Sequence, residues 1–186
     1  MDALELLQNR VSCPVLLEPA PTQEQMDTLF TAAMRAPDHA ALRPWRFLVV
    51  DGDQRDALGE LYLKAGLEDD PTLNEAKQKK LRNAPSRAPV VVVAIAHKTE
   101  HPKVPMSEQL ITAGCATHAM LYAAHAQGVG AMWRTGPMAY HPTVMAGLGL
   151  AENEEIVGFL YLGTPKVVRD APVVDTTPYV RRWEAS

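Results

Sequence analysis

Residues 88–96 constrain the fold of this 186-residue chain more than any other segment, because they read Ala-Pro-Val-Val-Val-Val-Ala-Ile-Ala without one polar side chain. A strand with one face in water alternates apolar and polar side chains, whereas a strand covered on both faces is apolar throughout. We therefore expect a buried strand here, with other elements packed on both of its faces. Further strands are predicted over residues 46–50, 129–133 and 156–162.

Helical periodicity and end signals predict four helices, over residues 2–10, 22–35, 53–66 and 107–128. The residues with the spacing of capping boxes are Asp2 with Glu5 and Thr22 with Gln25. Pro37 removes a backbone donor and restricts the residue before it, so the second helix should end at about residue 35. Gly66 is expected to end the third helix.

The longest predicted helix, over residues 107–128, carries small side chains along much of its surface. These are Ala113, Gly114, Ala116, Ala119, Ala123, Ala124 and Ala126. A helix of about 20 residues is roughly 30 Å long at the usual rise per residue. With so little bulk it allows another backbone to approach closely, so we expect it to pack against the sheet or against its own copy in a dimer.

Two segments do not fit a compact core, although the length predicts one domain over residues 1–186. Residues 69–85 are charged and poor in large apolar groups, which favours a surface excursion or lid. Their basic cluster lies in a polar helical segment and is interpreted as a solvated face. Residues 164–186 have no helical period, and their valines with Tyr179 and Trp183 favour an extended arm that wraps a partner over a disordered tail.

Composition and charge narrow the classes of protein. A formal net charge of -4 and the absence of a basic field argue against a nucleic-acid partner. No apolar run approaches the roughly 20 residues of a membrane span, and no basic region precedes an apolar one at the N-terminus. Two cysteines are too few for a disulfide framework. We expect a soluble, cytoplasmic protein.

Several chemistries lack their motifs. The chain has no Gly-x-Gly-x-x-Gly between a strand and a helix, no phosphate-binding loop and no Gly-x-Ser-x-Gly nucleophile elbow. Cys115, His118 and His125 could present three metal ligands from the long helix. Because that helix is rich in alanine, we interpret them as core or interface residues and expect no bound metal.

Cations and hydroxyls that suit an anion occur in three places. Arg10 and Ser12 follow the first helix, Arg35 and His39 follow the second, and Trp133-Arg134-Thr135-Gly136 follows a strand. The loop after the second helix also holds Asp38, Arg43 and Trp45, and could by itself be an ordinary connection. Guanidinium groups with hydroxyls are natural phosphate ligands, so the three places together indicate a phosphorylated cofactor.

Six segments, in this order and spacing, resemble the FMN-dependent nitroreductase family, and in particular its compact NAD(P)H nitroreductase subfamily. They are Asn9-Arg10-x-Ser12, Met34-Arg35-Ala36-Pro37-Asp38-His39, Pro44-Trp45-x-Phe47, Gln127-Gly128-x-Gly130, Trp133-Arg134-Thr135-Gly136 and residues 156–165. The resemblance implies an α+β three-layer sandwich around a mostly antiparallel sheet. It also implies a homodimer that buries the long helix at its interface, next to two FMN sites.

The resemblance assigns binding residues as well. FMN would contact Arg10, Val11, Ser12, Arg35, His39, Trp133, Arg134 and Thr135, and the stretch assigned to NAD(P) would be Ala123, Ala124, His125, Ala126, Gln127 and Gly128. Val11 departs from the pattern, which usually has a second basic residue there. That change could weaken phosphate binding or alter the flavin's electron-transfer properties.

The implied activity is ping-pong reduction, in which FMN takes hydride from NAD(P)H and reduces an electron-poor acceptor such as a nitroaromatic or a quinone. The flavin carries the chemistry, so no catalytic side chain is expected. The alternatives are another flavin reaction on the same fold (dehalogenation, ring dehydrogenation or flavin fragmentation) and a non-catalytic flavin-binding protein. The sequence fixes neither the acceptor nor the choice between NADH and NADPH.

Overall fold

The computed structural model describes residues 2–185, which form six α-helices and five β-strands. The helices are α1 Ala3–Asn9, α2 Gln23–Ala33, α3 Gln54–Asp69, α4 Glu75–Arg82, α5 Met106–Ala126 and α6 Pro142–Gly147. The strands are β1 Leu16–Leu17, β2 Trp45–Asp51, β3 Val90–His97, β4 Gly130–Arg134 and β5 Glu154–Pro165. The described part of the chain has no helix with both the length and the apolar character needed to cross a bilayer.

All five strands belong to one sheet, and all of their pairings are antiparallel. The long strand β5 pairs with β3 and also with β4 and β1, and β3 in turn pairs with β2. This sheet confirms the expected α+β class with antiparallel strands. The predicted strands appear as β2, β3, β4 and β5, whereas the two-residue β1 was not predicted.

Helices cover the sheet on both faces, giving three layers. On one face α2 and α5 pack against alternate residues of β3 and β5, including Val92 and Leu160. On the other face α3 and α6 pack against the intervening residues, including Val93 and Phe159. The residues of β3 are buried from Val90 to Ala96, which confirms the prediction of a strand covered on both sides.

Both predicted capping boxes are present. The Asp2 carboxylate accepts hydrogen bonds from the amides of Leu4 and Glu5 at the start of α1. At α2, the Thr22 hydroxyl accepts from the Gln25 amide while the Gln25 side chain accepts from the Thr22 amide. The short helix α6 was not predicted, and its N-cap is a histidine side chain, His141.

The prediction that Gly66 ends the third helix is wrong, because α3 continues to Asp69. Gly66 is buried inside the helix, where an added Cβ would overlap the side chain of Leu81 in α4. Its small size permits a close helix–helix contact and does not mark a helix end.

Residues 69–85 were predicted to form a surface excursion or lid. They contain α4 and its connections, and α4 packs against α3. A lid role for this segment stays a prediction.

Gly59 makes a second close contact in the same helix pair. An added Cβ there would overlap the backbone carbonyl of Arg82, which cannot rotate away. We therefore expect Gly59→Ala to lower the free energy of unfolding by about 2 kcal/mol or more, despite the better helix propensity of alanine. Urea unfolding followed by circular dichroism measures the change. The control is Lys64→Ala, at an exposed position of α3, whose free energy of unfolding should stay within about 0.5 kcal/mol of the wild-type value. If the two variants were equally stable, the close contact at Gly59 would be contradicted.

A buried carboxylate ties together the ends of three strands. Glu154, with a side chain only 5% exposed, accepts two hydrogen bonds of 2.6 Å from the Arg46 guanidinium. The amide of Ala151 and Nδ1 of His97 lie 3.0 and 3.1 Å from its two oxygens. The bonds from Arg46 in particular hold the pKa of Glu154 at about 2, although its burial opposes this shift.

Candidate functional site

The segment after α1 runs beside strand β4. The Cys13 amide donates to the Ala131 carbonyl at 2.9 Å, which brings Arg10 and Ser12 toward the β4 edge. Helix α1, which Arg10 follows, is joined to α5 because the Tyr122 hydroxyl donates to the Leu7 carbonyl. Burial, and next the charge of Arg10, lower the pKa of His118 in α5. The structure therefore brings the first and third predicted groups of anion ligands to the same edge of the sheet.

Arg134, the last residue of β4, is the site residue whose surroundings are most informative. Its guanidinium carbon lies 5.4 Å from the centre of the Tyr161 ring. Its Nε is buried and has no hydrogen-bond partner among residues 2–185. Burial, and next the nearby charge of Arg87, lower the pKa of Arg134. Because a buried donor without an acceptor is unfavourable, this residue fits a bound anion such as a phosphate.

The loop after α2 has a strained backbone. Ala40, Ala41 and Arg43 all adopt positive φ values, of 63°, 52° and 49°. The Asp38 carboxylate holds this conformation by accepting hydrogen bonds from the amides of Leu42 and Arg43. Such backbone conformations are uncommon for residues other than glycine and concentrate at ligand-binding sites. They favour the functional interpretation of this loop over an ordinary connection.

The same loop is fastened to the first half of α5. Thr112 Oγ1 donates to the carbonyl of Pro37 at 3.2 Å, and Nδ1 of His39 lies 3.1 Å from a carboxylate oxygen of Glu108. Arg35, at the end of α2, is exposed. Trp45 is 9% exposed and belongs to the core, so it is a packing residue.

Within one chain, the predicted FMN residues fall into two groups along α5. The loop of Arg35 and His39 contacts α5 at Glu108 and Thr112. The Arg10 segment lies near His118, six residues beyond Thr112 and ten beyond Glu108, or roughly 9–15 Å at the helical rise. The two groups therefore occupy different parts of the same helix.

A pocket of about 520 Å³ lies next to the second group. Trp133 lines it together with Leu110 and Gly114 of α5 and Tyr140, which follows β4. Trp133 is fixed because its Nε1 donates to the Val157 carbonyl at 3.3 Å. Thr135 is exposed, and Gly136 has a φ of 100°, a value that favours glycine. The chain after β4 therefore turns sharply beside an open pocket.

The stretch assigned to NAD(P) lies at the other end of α5. Residues 123–126 belong to its last turn, and Ala124 is fully buried. Gln127 donates from its side chain to the carbonyls of Ala123 and Gln25, which fastens the helix end to α2. These contacts give the stretch a packing role, and its contact with a dinucleotide stays a prediction.

The alternative helical metal site has no support in the described residues. Between residues 2 and 185, no three His, Cys, Asp or Glu side chains come together as a metal site would require. His118 packs instead against Tyr122, with ring centres 4.7 Å apart at an interplanar angle of 75°. The hydroxyl of Tyr122 in turn donates to the Leu7 carbonyl, joining α5 to α1.

Sequence reasoning did not identify two residues near the site. Arg87 influences Arg134 although it precedes β3, and Glu108 contacts His39 although 69 residues separate them. Both relationships depend on the packing of distant segments. Glu108 lies in the first turn of the predicted long helix, and this was the one local feature that could have drawn attention to either residue. An acidic side chain in a first turn also stabilises the helix, so the feature does not by itself indicate a site.

The described fold matches solved structures of nitroreductase-like proteins. A nitroreductase-like family protein from Bacillus cereus matches it with a TM-score of 0.84 and 19% identity, covering 100% of this chain and 97% of that chain. The FMN-dependent nitroreductase NfnB of Mycobacterium smegmatis, solved in complex with NADPH, gives a TM-score of 0.75 and 20% identity over 98% of each chain. These structures define the class: a nitroreductase-type α+β sandwich.

Sequence comparison establishes the family. The model of the nitroreductase family matches residues 7–164. The Escherichia coli (strain K12) protein YdjA, provisionally named as an NAD(P)H nitroreductase, is 45% identical over 185 residues, covering 97% of this chain and 98% of that protein. A similarly named Haemophilus influenzae protein is 38% identical over 183 residues, with the same coverage of 97% and 98%. The chain belongs to the nitroreductase family.

Proposed function

We propose that this chain is an FMN-dependent NAD(P)H oxidoreductase that reduces nitroaromatic, quinone or related electron-poor acceptors. The observation that carries the proposal is the buried, unpartnered Nε of Arg134, next to the segment of Arg10 and Ser12. Family membership supports it, as do the names of the relatives from Escherichia coli and Haemophilus influenzae and the FMN-dependent neighbour from Mycobacterium smegmatis.

The residues divide into two tasks. Arg10, Ser12 and Arg134 supply cationic and hydroxyl donors for the phosphate, and Arg35 and His39 contact the ring and ribityl chain. Val11 keeps only a backbone contact. When bound, FMN accepts a hydride from NAD(P)H and passes electrons to the acceptor. The chain's own contribution is to bind and orient the flavin, so the site needs no acid–base pair.

A homodimer with two FMN sites accounts for the separation of the two groups along α5. In this arrangement, Arg35 and His39 of one protomer complete the site formed by the β4 edge of its partner. Exposed apolar side chains support such an interface: Leu7 is 55% exposed and Ile111 65% exposed, on the packed helices α1 and α5. Exposed apolar side chains on two packed helices favour a protein partner.

The predicted arm begins later than expected, because Thr164 and Pro165 are the last residues of β5 and pair with β1. The segment that follows, residues 166–185, is proposed to wrap the partner subunit. Its large apolar side chains are exposed in the single chain, with Tyr179 at 80% and Trp183 at 88%. An extended segment of about 20 residues can reach up to roughly 65 Å. The arm can therefore lie across a second protomer and bury these side chains there. We place the enzyme in the cytoplasm, where NAD(P)H is available.

An absorption spectrum of the purified protein tests the proposed function. Flavin bands should be visible, either directly or after reconstitution with FMN, and anaerobic NADH or NADPH should bleach them. A colourless protein that cannot be reconstituted would overturn the proposal. Steady-state assays with nitroaromatics, quinones and halophenols then identify the acceptor class. If no acceptor reoxidised the protein faster than air does, a flavin-binding protein without turnover would be the better description.

Arg35→Ala tests the placement of Arg35 and His39 beside the flavin ring. A cation beside the flavin ring favours its more negatively charged reduced form, so the midpoint potential of the holoenzyme should fall by roughly 20–40 mV. Thermal unfolding of the apoprotein should change little, because Arg35 is exposed. Arg43→Ala removes the same charge from the same loop as a control. An equal potential in wild type and Arg35→Ala, with equal FMN affinity, would contradict this placement.

A further inference from the structure

The pocket of about 520 Å³ beside Trp133 is lined by two aromatic side chains and by several charged ones. The aromatic residues are Trp133, near the end of β4, and Tyr140, in the turn that follows. Tyr140 is 69% exposed, so its ring is free to contact a ligand in the single chain. Pockets that bind small molecules usually measure about 300–1,000 Å³. This one can therefore hold a substituted aromatic ring.

The indole of Trp133 is held in place by two neighbours from β5. Its Nε1 donates to the Val157 carbonyl at 3.3 Å. The indole also lies against the backbone of Gly158, where an added Cβ would overlap Nε1. Because glycine leaves the space that the indole fills, Trp133 gives the pocket an aromatic surface of fixed orientation.

The charged lining of the pocket leaves one carboxylate unpaired. Glu154 accepts two hydrogen bonds from the Arg46 guanidinium, and a carboxylate oxygen of Glu155 lies 3.3 Å from the Lys98 ammonium. Glu152, in the turn before β5, is exposed and forms no ion pair with any residue between 2 and 185. Lys98, the cation in the lining, is already paired. The lining therefore offers a ligand one free negative charge and no free positive charge.

We propose that this pocket binds the aromatic ring of the electron acceptor and prefers an acceptor with a positive charge, and that Glu152 sets this preference. The inference rests on the proposed function, in which Trp133 contacts FMN and the pocket therefore adjoins the flavin. Aromatic ring faces attract cations, ammonium groups in particular, and a nearby carboxylate adds to that attraction. An anionic acceptor would be repelled by the unpaired carboxylate.

Three ring analogues that differ in charge test the preference without turnover. They are benzyltrimethylammonium, benzyl alcohol and benzoate, and calorimetric titration of the FMN-loaded full-length protein measures their dissociation constants. Wild type should bind the cation roughly tenfold more tightly than the anion, and Glu152→Gln should reduce this ratio by roughly three- to tenfold. Glu24→Gln is the matched control, because it removes the same charge from an exposed position of α2 outside the pocket. It should keep the wild-type ratio.

Tyr140 tests the aromatic part of the pocket. Tyr140→Ala should weaken binding of benzyltrimethylammonium by roughly two- to fivefold, because the cation loses one ring face. Tyr140→Phe, which keeps the ring, should restore most of that affinity. An equal loss in both variants would exclude the ring as the contact.

Turnover gives a second readout of the charge preference. The acceptors are (4-nitrobenzyl)trimethylammonium and 4-nitrobenzoate, and each is compared between wild type and Glu152→Gln, so that their different reduction potentials cancel. The ratio of kcat/KM for the cation to that for the anion should fall in Glu152→Gln by the same factor as the ratio of affinities.

The outcomes separate this inference from the proposed function. If no analogue binds, if all three bind equally, or if Glu152→Gln keeps the wild-type ratio, the inference is wrong while the proposed function stands. If the chain takes up no FMN, the proposed function fails and the assignment of the ligand as an electron acceptor fails with it. Titration of the same full-length chain then decides whether the pocket prefers cations, and equal ratios in wild type and Glu152→Gln would overturn that preference.

Discussion

Replacing Glu154 with glutamine should lower the free energy of unfolding at neutral pH by about 3 kcal/mol. The substitution leaves Arg46 beside a neutral amide at a position that is 5% exposed, so the guanidinium loses its bidentate partner. The Ala151 amide loses a charged acceptor at the same time. The effect is large because three groups from separate segments, the Arg46 guanidinium, the His97 ring and the Ala151 amide, converge on this single carboxylate.

The stabilising effect of Glu154 depends on pH and is lost at low pH. The pKa of Glu154 is lowered from 4.5 to about 2, so its stabilising contribution is complete above pH 4.5 and is lost as the pH falls toward 2. Urea unfolding at several pH values should show the difference between wild type and Glu154→Gln shrinking over that range. Glu155→Gln, next along β5 with a 38% exposed carboxylate paired to Lys98, should change stability by no more than about 1 kcal/mol. A difference that did not depend on pH would exclude the charge as its cause.

Removing residues 170–186 should convert the proposed dimer into a monomer and release its FMN. The arm makes few contacts with its own chain, as the exposure of Val168, Tyr179 and Trp183 shows, so its loss should leave the fold intact. In the dimer the same side chains would be buried, and their loss should raise the dissociation constant of the dimer at least a hundredfold, or roughly 3 kcal/mol. Light scattering after gel filtration measures the mass, and a fluorescence titration measures FMN affinity.

Single substitutions separate apolar burial from charge in the arm. Trp183→Ala should weaken the dimer, because tryptophan contributes strongly when buried at an interface. Arg182→Ala, at the neighbouring position, removes a charge without removing an aromatic ring and should have a smaller effect. A truncated chain that remains dimeric and keeps its FMN affinity would refute the wrapping role of the arm.

The sequence predicted those helices and strands whose determining residues all lie within one short segment. The apolar run in β3 requires cover on both faces, and the Thr22 and Gln25 pair requires a helix start. Gly66 was misinterpreted because its role depends on Leu81, a residue of another helix. The sequence around Gly66 cannot distinguish a glycine that ends a helix from one that admits a neighbouring helix.

The candidate site was predictable to a lesser degree. The chemistry of Arg10, Arg35 and Arg134 indicates an anion, and the family resemblance names it. Sequence cannot show that Arg134 turns toward Tyr161, because that follows from the register of two strands. Nor can it show that the two groups of FMN residues contact α5 at separate places, since no local pattern encodes the packing of a loop on a distant helix.

The strained loop around Asp38 bears on how this enzyme could be engineered. Glycine would relieve the positive φ values at Ala40 and Ala41, and each such position in a residue other than glycine costs on the order of 1 kcal/mol or more. Stability-directed design would therefore select glycine here, yet a more flexible backbone would hold His39 less firmly. If His39 contacts FMN as proposed, thermostability and substrate turnover compete at this loop, and a screen that rewards heat resistance alone would tend to sacrifice the activity it was meant to preserve.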